Sequence, residues 1–144
     1  MPETAAYYLT IDPGKTSGWA TFDEAGNGIT MGQASVEELI KMVTSTEAKV
    51  IVTEDYHLFP WKAKEQIWSR LDTVRVIGMI QLLCYQRNLQ LVLQDPNIKS
   101  IGYMWAGIDK AKSHKNSHER DAYVHGVYYL QRAGIRRPQQ GMGT

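Results

Sequence analysis

Apolar residues fall in short β-branched runs near the N-terminus and in longer stretches spaced by threes and fours further on. Tyr7-Tyr8-Leu9-Thr10-Ile11-Asp12 is a β-favouring run that ends in a carboxylate. Pro13-Gly14 turns the chain, and Trp19-Ala20-Thr21-Phe22 resumes it as a second strand. Gly26-Asn27-Gly28 signals another turn, after which Ile29-Thr30-Met31-Gly32-Gln33 returns as a third strand and completes an antiparallel meander. Ser35, with Glu38 three residues on, predicts a capping box for a short helix carrying Val36, Leu39, Ile40 and Val43 on one side. Lys49-Val50-Ile51-Val52-Thr53-Glu54 is a continuous run of the kind buried on both faces of a sheet. Reached through a helix, it is expected to lie parallel to an earlier strand by a right-handed crossover. That places Glu54 near the same sheet edge as Asp12, the edge that active sites favour in open α/β sheets.

Tyr56-His57-Leu58-Phe59-Pro60-Trp61-Lys62-Ala63-Lys64 interleaves aromatic and basic residues ahead of a long helix, expected from Glu65 to Arg87. Ile67, Leu71, Val74, Gly78, Leu82 and Tyr85 advance by threes and fours, which predicts a buried stripe. Trp68, Ile77, Met79 and Ile80 widen the apolar surface beyond what one sheet face requires, so a partner subunit or a thick core is expected to cover the excess. Leu89 to Gln94 reads as a further strand, stopped by Asp95-Pro96. From Asn97 to Lys115 the pattern is short-range and interrupted by glycine, with Lys99, Lys110, Lys112 and Lys115 prominent. A last helix is expected from Ser117 to Arg132, ended by Gly134. The expected organisation is one domain over residues 1–135, an α/β fold with a mixed five-stranded sheet flanked by helices. Residues 136–144, poor in apolar side chains, read as a disordered tail.

A length of 144 residues with 43% hydrophobic and 22% charged residues supports a single globular domain with a real core. There is no apolar run long enough to span a membrane. Met1-Pro2-Glu3-Thr4 lacks the basic and apolar segments of a signal peptide, and the only cysteine, Cys84, excludes an internal disulfide, so a cytoplasmic location is expected. The net charge of +1 conceals a polarity. Residues 1–55 carry three basic groups against nine acidic ones, while the remainder carries thirteen against six. Such asymmetry favours a polyanionic partner.

The last helix contains His118-Glu119-Arg120-Asp121-Ala122-Tyr123-Val124-His125-Gly126. His118, Asp121 and His125 are spaced to share one face, and Ala122 leaves room beside it. With Asp12 and Glu54 at strand ends, two or three carboxylates and an imidazole can gather at one sheet edge. Clustered carboxylates repel one another unless cations neutralise them. Oxygen-rich ligands with one nitrogen suit Mg²⁺ or Mn²⁺, and two such ions can activate water and stabilise a leaving oxygen in phosphodiester cleavage. Each residue also has a plain structural reading. Asp12 can simply start a β-turn, Glu54 and Asp55 can end a strand in solvent, His118 can be a surface residue, and Asp121 can pair with Arg120 or Lys115. Zinc is disfavoured, because Cys84 has no partner at ligand spacing and His114, His118 and His125 form no zinc motif. No Ser or Cys nucleophile stands near a positioned base.

Ile11-Asp12-Pro13-Gly14, then Glu54 closing a buried strand, then His118-x-x-Asp121-Ala122 on the final helix, resembles the RuvC-type Holliday junction resolvases of the RNase H-like superfamily, especially short versions from phages. The resemblance spans residues 7–133. It implies an RNase H-like fold and a structure-specific endonuclease for four-way and other branched DNA, with Asp12, Glu54, His118 and Asp121 holding two metal ions. It also selects Glu54 over Asp55, which alternation places on opposite faces. Symmetric cuts in a four-way junction need two sites, and the resemblance implies a homodimer through the helix at 65–87. Lys99 and Lys112 are the nearest counterparts of the family's phosphate-contacting lysines. With Lys15, Lys62, Lys64, Lys110 and Lys115 they make up the expected DNA-contacting set. Phe59 and Trp61 occupy the segment where an aromatic can pry apart stacked bases. The segment from Lys99 to His118 is shorter than in bacterial members, and the resemblance gives His125 no clear role, at most a supporting one behind the ligands. Alternatives are an RNase H-like nuclease acting on RNA or flaps, and a catalytically silent DNA-binding or packaging accessory. Asp12-Pro13-Gly14-Lys15-Thr16 also resembles the phosphate loop of actin-like ATPases and sugar kinases, but that superfamily needs two such domains and this chain is too short.

Overall fold

The structure, a computed structural model, describes residues 5–56, 63–109, 117–138 and 140, with the backbone alone over 63–70. Strands β1 (Tyr8–Asp12), β2 (Thr16–Phe22), β3 (Gly28–Ser35), β4 (Val50–Glu54) and β5 (Gln90–Gln94) form one sheet in the order β3-β2-β1-β4-β5. The first three strands pair antiparallel, whereas β4 runs parallel to both β1 and β5. This is the mixed sheet expected from two tight turns followed by a helical crossover. Helix α1 (Val36–Ser45) makes that crossover and starts at the expected capping box, with Glu38 N donating to Ser35 Oγ and Ser35 N donating to Glu38 Oε1 at 3.1 Å. Helices α2 (Ala63–Arg87), α3 (Lys99–Ala106) and α4 (His118–Arg132) cover the sheet. Among the described residues no helix is long and apolar enough to cross a membrane.

Alternation along the strands divides the core into two layers. Leu9, Ile11 and Ile51 pack with Leu39 and Val43 of α1 and with Val76, Ile80 and Cys84 of α2. Tyr8, Val50 and Val52 point to the other face, against Tyr103 of α3 and Val124, Val127 and Leu130 of α4. The same parity sends Asp12, at the end of β1, and Glu54, at the end of β4, towards α4.

Helix α4 crosses the sheet on small residues. Ala122 is fully buried, and its carbonyl accepts a hydrogen bond from Thr10 Oγ1 at 2.7 Å. A Cβ on Gly126 would come within 2.3 Å of the Phe22 ring. A Cβ on Gly18 would come within 1.9 Å of the His118 carbonyl oxygen. Gly18 faces Asp12 across the β1–β2 ladder, so its missing side chain lets the first turn of α4 reach the end of β1.

Helix α2 reverses one expectation. Thr73, Val76, Ile77, Ile80 and Cys84 form its buried face, whereas Leu71, Val74, Leu82 and Tyr85 of the predicted stripe are 41%, 44%, 56% and 84% exposed. A Cβ on Gly78 would meet nothing within 4 Å. Both stripes repeat at helical spacing, so periodicity alone does not say which one meets the sheet. Ile67 and Trp68 have side chains outside the described residues.

Helix α3 forms where only a short-range pattern was expected. Gly102, read as an interruption, is a contact point: a Cβ there would lie 2.6 Å from the Val124 carbonyl oxygen of α4. Arg136, in the segment read as a disordered tail, is buried instead. Its guanidinium donates to the Gly26 carbonyl at 2.8 Å and to the Tyr123 hydroxyl at 3.2 Å, and Gln140 Nε2 donates to the Ala25 carbonyl at 3.1 Å. Hydrogen bonds hold this segment where apolar burial does not. Residues 139 and 141–144 of that segment lie outside the described residues.

Gly18→Ala is expected to destabilise the protein by about 1–3 kcal/mol, the range for overpacking a close contact, because the atom it meets is backbone and cannot rotate away. Urea unfolding midpoints read this directly; an unchanged midpoint would mean that α4 shifts without penalty.

Candidate active site

Strands β1 and β4 end side by side, and α3 and α4 both begin over those ends. Asp12 Oδ2 lies 3.3 Å from His118 Nδ1 of α4. The Asp12 and Glu54 carboxyl groups are close enough for each to act on the other's charge. Lys99 is the first residue of α3, and its Nζ sits 3.3 Å from Glu54 Oε2 and 3.5 Å from Asp121 Oδ2. Asp121 Oδ1 accepts from the Tyr103 hydroxyl at 2.5 Å. On its buried side, Glu54 Oε2 lies 3.2 Å from His125 Nε2, and His125 Nδ1 lies 2.8 Å from Gln94 Oε1.

Burial and like charge govern the electrostatics. Removal from water, followed by the neighbouring charge of Glu54, pushes the Asp12 carboxyl up to about 8. Glu54 moves the other way. Burial works against its charge, but the hydrogen bond from His125 and the Lys99 ammonium hold it below the usual carboxylate range. The pair therefore titrates together, with Asp12 pushed towards its neutral form and Glu54 towards its charged form. Burial opposes the charge on Lys99 too, but Glu54, Asp12 and Asp121 together raise its pKa and keep it an ammonium. Burial and the bond to Asp121 raise the Tyr103 hydroxyl, so it stays a donor.

These groups open onto a cleft of about 460 Å³, lined by Asp12, Lys99, His118, Asp121 and the Pro13–Thr16 turn, with Asp72 and Thr73 contributed by α2. Thr73 Oγ1 donates to the Pro13 carbonyl at 3.3 Å and so ties α2 to the turn that follows Asp12.

Asp12, Glu54, His118 and Asp121 are therefore brought together, and Glu54 is the member of the Glu54–Asp55 pair that faces them. Asp55 turns its carboxylate to the Tyr56 N–H at 2.8 Å. Lys15 is exposed on the cleft wall. Lys99 lies inside the acidic group instead of on an outer surface. Phe59, Trp61, Lys62, Lys110, Lys112 and Lys115 lie outside the described residues, as does the side chain of Lys64. Tyr103, Gln94, Asp72 and Thr73 were not anticipated. Gln94 carried a usable signal, since it ends β5 in register with Glu54. Tyr103 carried none, because its partner Asp121 is distant in sequence.

The donor chemistry fits a hard divalent cation: three carboxylates and an imidazole converge, and they already attract an ammonium and a proton. Among the described residues no three His, Cys, Asp or Glu side chains stand close enough to hold a metal ion in this arrangement, and the Lys99 ammonium lies between Glu54 and Asp121. A divalent cation at that position would have to displace the ammonium.

No family model matches the chain, and a search of curated proteins finds no match. Solved structures do match. T. thermophilus RuvC in complex with Holliday junction substrate aligns with a TM-score of 0.58 at 11% identity, over 91% of this chain and 98% of that one. Fowlpox virus resolvase in complex with substrate Holliday junction DNA aligns with a TM-score of 0.59 at 12% identity, over 87% of this chain and 99% of that one. At such identity the likeness is one of fold. The chain has the RNase H-like α/β fold of the RuvC-type resolvases, as its motifs implied.

Asp12 binds its proton more tightly in the folded protein than in the unfolded chain. Its contribution to stability is therefore full below pH 3.8 and is lost as pH rises towards about 8. Glu54 has the opposite sign, contributing above pH 4.5 and losing that contribution in acid. In EDTA, the urea midpoint of the wild type is expected to fall relative to that of Asp12→Asn as pH rises from about 4 to about 8. Parallel midpoints across that window would remove the proton held by Asp12 from the account.

Proposed function

We propose that this protein is a structure-specific DNA endonuclease that resolves Holliday junctions, and acts on other branched DNA, by divalent-metal-dependent phosphodiester hydrolysis. One observation carries this reading: at the strand ends of an RNase H-like fold, Asp12, His118 and Asp121 line one cleft, Glu54 lies buried behind it, and the Lys99 ammonium is drawn between Glu54 and Asp121. Two of the matched structures are complexes with Holliday junction DNA, which supports the substrate class.

On this reading Asp12, Glu54, His118 and Asp121 would hold two divalent ions, Mg²⁺ or Mn²⁺. When bound, such ions activate water for attack on phosphorus and stabilise the leaving oxygen. Positive charge bound there would favour the ionised form of Asp12, the form that serves as a ligand. Lys99, freed from Glu54 and Asp121, has a flexible stem that can carry its ammonium to a phosphate in the cleft. Lys15 on the cleft wall contacts the backbone of the DNA. Phe59, Trp61, Lys62, Lys64, Lys110, Lys112 and Lys115 complete the proposed DNA-contacting set.

A second copy of the chain covers α2. Leu71, Val74, Leu82 and Tyr85 form an exposed apolar line, and the open space at Gly78 allows a neighbouring helix to approach closely. Two copies supply the two sites that paired cuts require. The reading treats residues 1–135 as one nuclease domain and places it in the cytoplasm, which suits the buried, free thiol of Cys84.

One observation favours a second reading, a catalytically silent DNA-binding accessory: Lys99 already neutralises Glu54 and Asp121.

Asp12→Asn is expected to lower Mg²⁺-dependent cleavage of synthetic four-way junctions by at least about 10²-fold, the scale of losing one charge-stabilising group, while junction binding persists. Full activity in the variant overturns the site. Wild-type protein that binds junctions but cuts no four-way, flap, duplex or RNA/DNA substrate with Mg²⁺ or Mn²⁺ establishes the silent reading. For the dimer, Leu82→Glu is expected to convert a dimeric wild type to monomer in sedimentation; a wild type that is monomeric with and without junction DNA counts against the α2 interface.

A further inference from the structure

His125 shares the helix face of His118 and Asp121, yet it is fully buried and does not line the cleft. On the sheet face that meets α4, β4 and β5 present apolar side chains at Val50, Val52 and Val92 and then change character at their last residues, Glu54 and Gln94. Those two residues are register partners and both are buried. His125 comes down from the second turn of α4 between them, with Nε2 3.2 Å from Glu54 Oε2 and Nδ1 2.8 Å from Gln94 Oε1. An ionised carboxylate only accepts, so Nε2 carries the proton and donates to Glu54. The Gln94 carboxamide has a donor end and an acceptor end, and can hold the opposite edge of the ring in either charge state.

We propose that His125 is a positioning residue, clamped by Gln94, that fixes the Glu54 carboxylate in the orientation needed to bind a divalent cation beside Asp12. This rests on the metal-dependent reading given above. Glutamate has three rotatable side-chain bonds, and a free Glu54 would lose part of its affinity for an ion in being ordered. Lys99 reaches the same oxygen but is the group a cation displaces, so it cannot do the ordering once the site fills. His125 approaches from the core side and can keep its bond throughout. Hydrogen-bond partners of this kind behind a metal ligand typically change affinity by about 10–100-fold when removed.

A His that merely fills the core makes a different prediction, because its loss would lower stability without singling out the ion. The test is Mn²⁺ affinity, read by isothermal titration calorimetry and by the EPR signal of free Mn²⁺, in wild type, Asp12→Asn, His125→Leu, His125→Gln, Gln94→Met and Val127→Ala. Wild type is expected to bind Mn²⁺ and Asp12→Asn to bind it far more weakly. His125→Leu is expected to weaken binding by about 10–100-fold. His125→Gln, which keeps an N–H donor near the Nε2 position, is expected to recover most of that loss. Val127→Ala, a core truncation in the same helix, is expected to lower the urea midpoint and leave Mn²⁺ affinity unchanged. Should His125→Leu fail to fold, Gln94→Met carries the test, with a several-fold loss expected and unchanged affinity overturning the proposal. Wild-type affinity in folded His125→Leu, or an equal loss in Val127→Ala, overturns the positioning role alone. A wild type that binds no Mn²⁺, or an Asp12→Asn that binds it equally well, overturns the metal reading and this inference with it.

Discussion

Asp12 and Glu54 end adjacent parallel strands, with Glu54 buried and Asp12 largely removed from water, so that each carboxyl group feels the other's charge. Two like charges in that position are tolerable only if something positive is brought to them or one of them keeps its proton. The molecule does both. Lys99 is delivered by the first residue of α3, and Asp12 holds a proton well above the ordinary carboxylate range. The surrounding architecture answers that need, since α3 supplies Lys99 and α4 supplies His118 and His125 to the two acids.

That supply depends on how closely α4 can approach the sheet. A helix seated on large side chains would stand too far off for His118 to reach Asp12 or for His125 to reach Glu54. Gly18 on β2, with Ala122 and Gly126 on α4, removes the obstruction, and Gly102 does the same between α3 and α4. The small residues are thus the packing counterpart of the acidic group: backbone approaches backbone so that long polar side chains can meet at the strand ends.

Helix α2 shows how one element can serve two surfaces. Its inner face, Val76, Ile80 and Cys84, completes the layer with Leu9, Ile11 and Ile51, while Thr73 ties it to the turn beside Asp12. Its outer face carries the apolar line from Leu71 to Tyr85. The sequence pattern showed more apolar surface than a single sheet face needs, and that excess is real; the stripe assigned to the core is the one that faces out.

Much of the fold was legible because it is encoded locally. Turn residues at Pro13-Gly14 and Gly26-Asn27-Gly28, the Ser35–Glu38 capping box and the β-branched run before Glu54 each act over a few residues, and all four recur in the structure. The gathering of Asp12, Glu54, His118 and Asp121 was legible too, through strand order and helical spacing, with the motif resemblance choosing Glu54 over Asp55. What only the tertiary structure decided are relations between distant residues. Two stripes of α2 had the same period, and contact with the sheet selected between them. Lys99 looked like a surface cation and became the counter-charge of the site. His125 had no definite partner until Glu54 and Gln94 were found in register beneath it. Periodicity fixes which face of an element a residue occupies, but charge state and partnership depend on what the fold sets opposite that face.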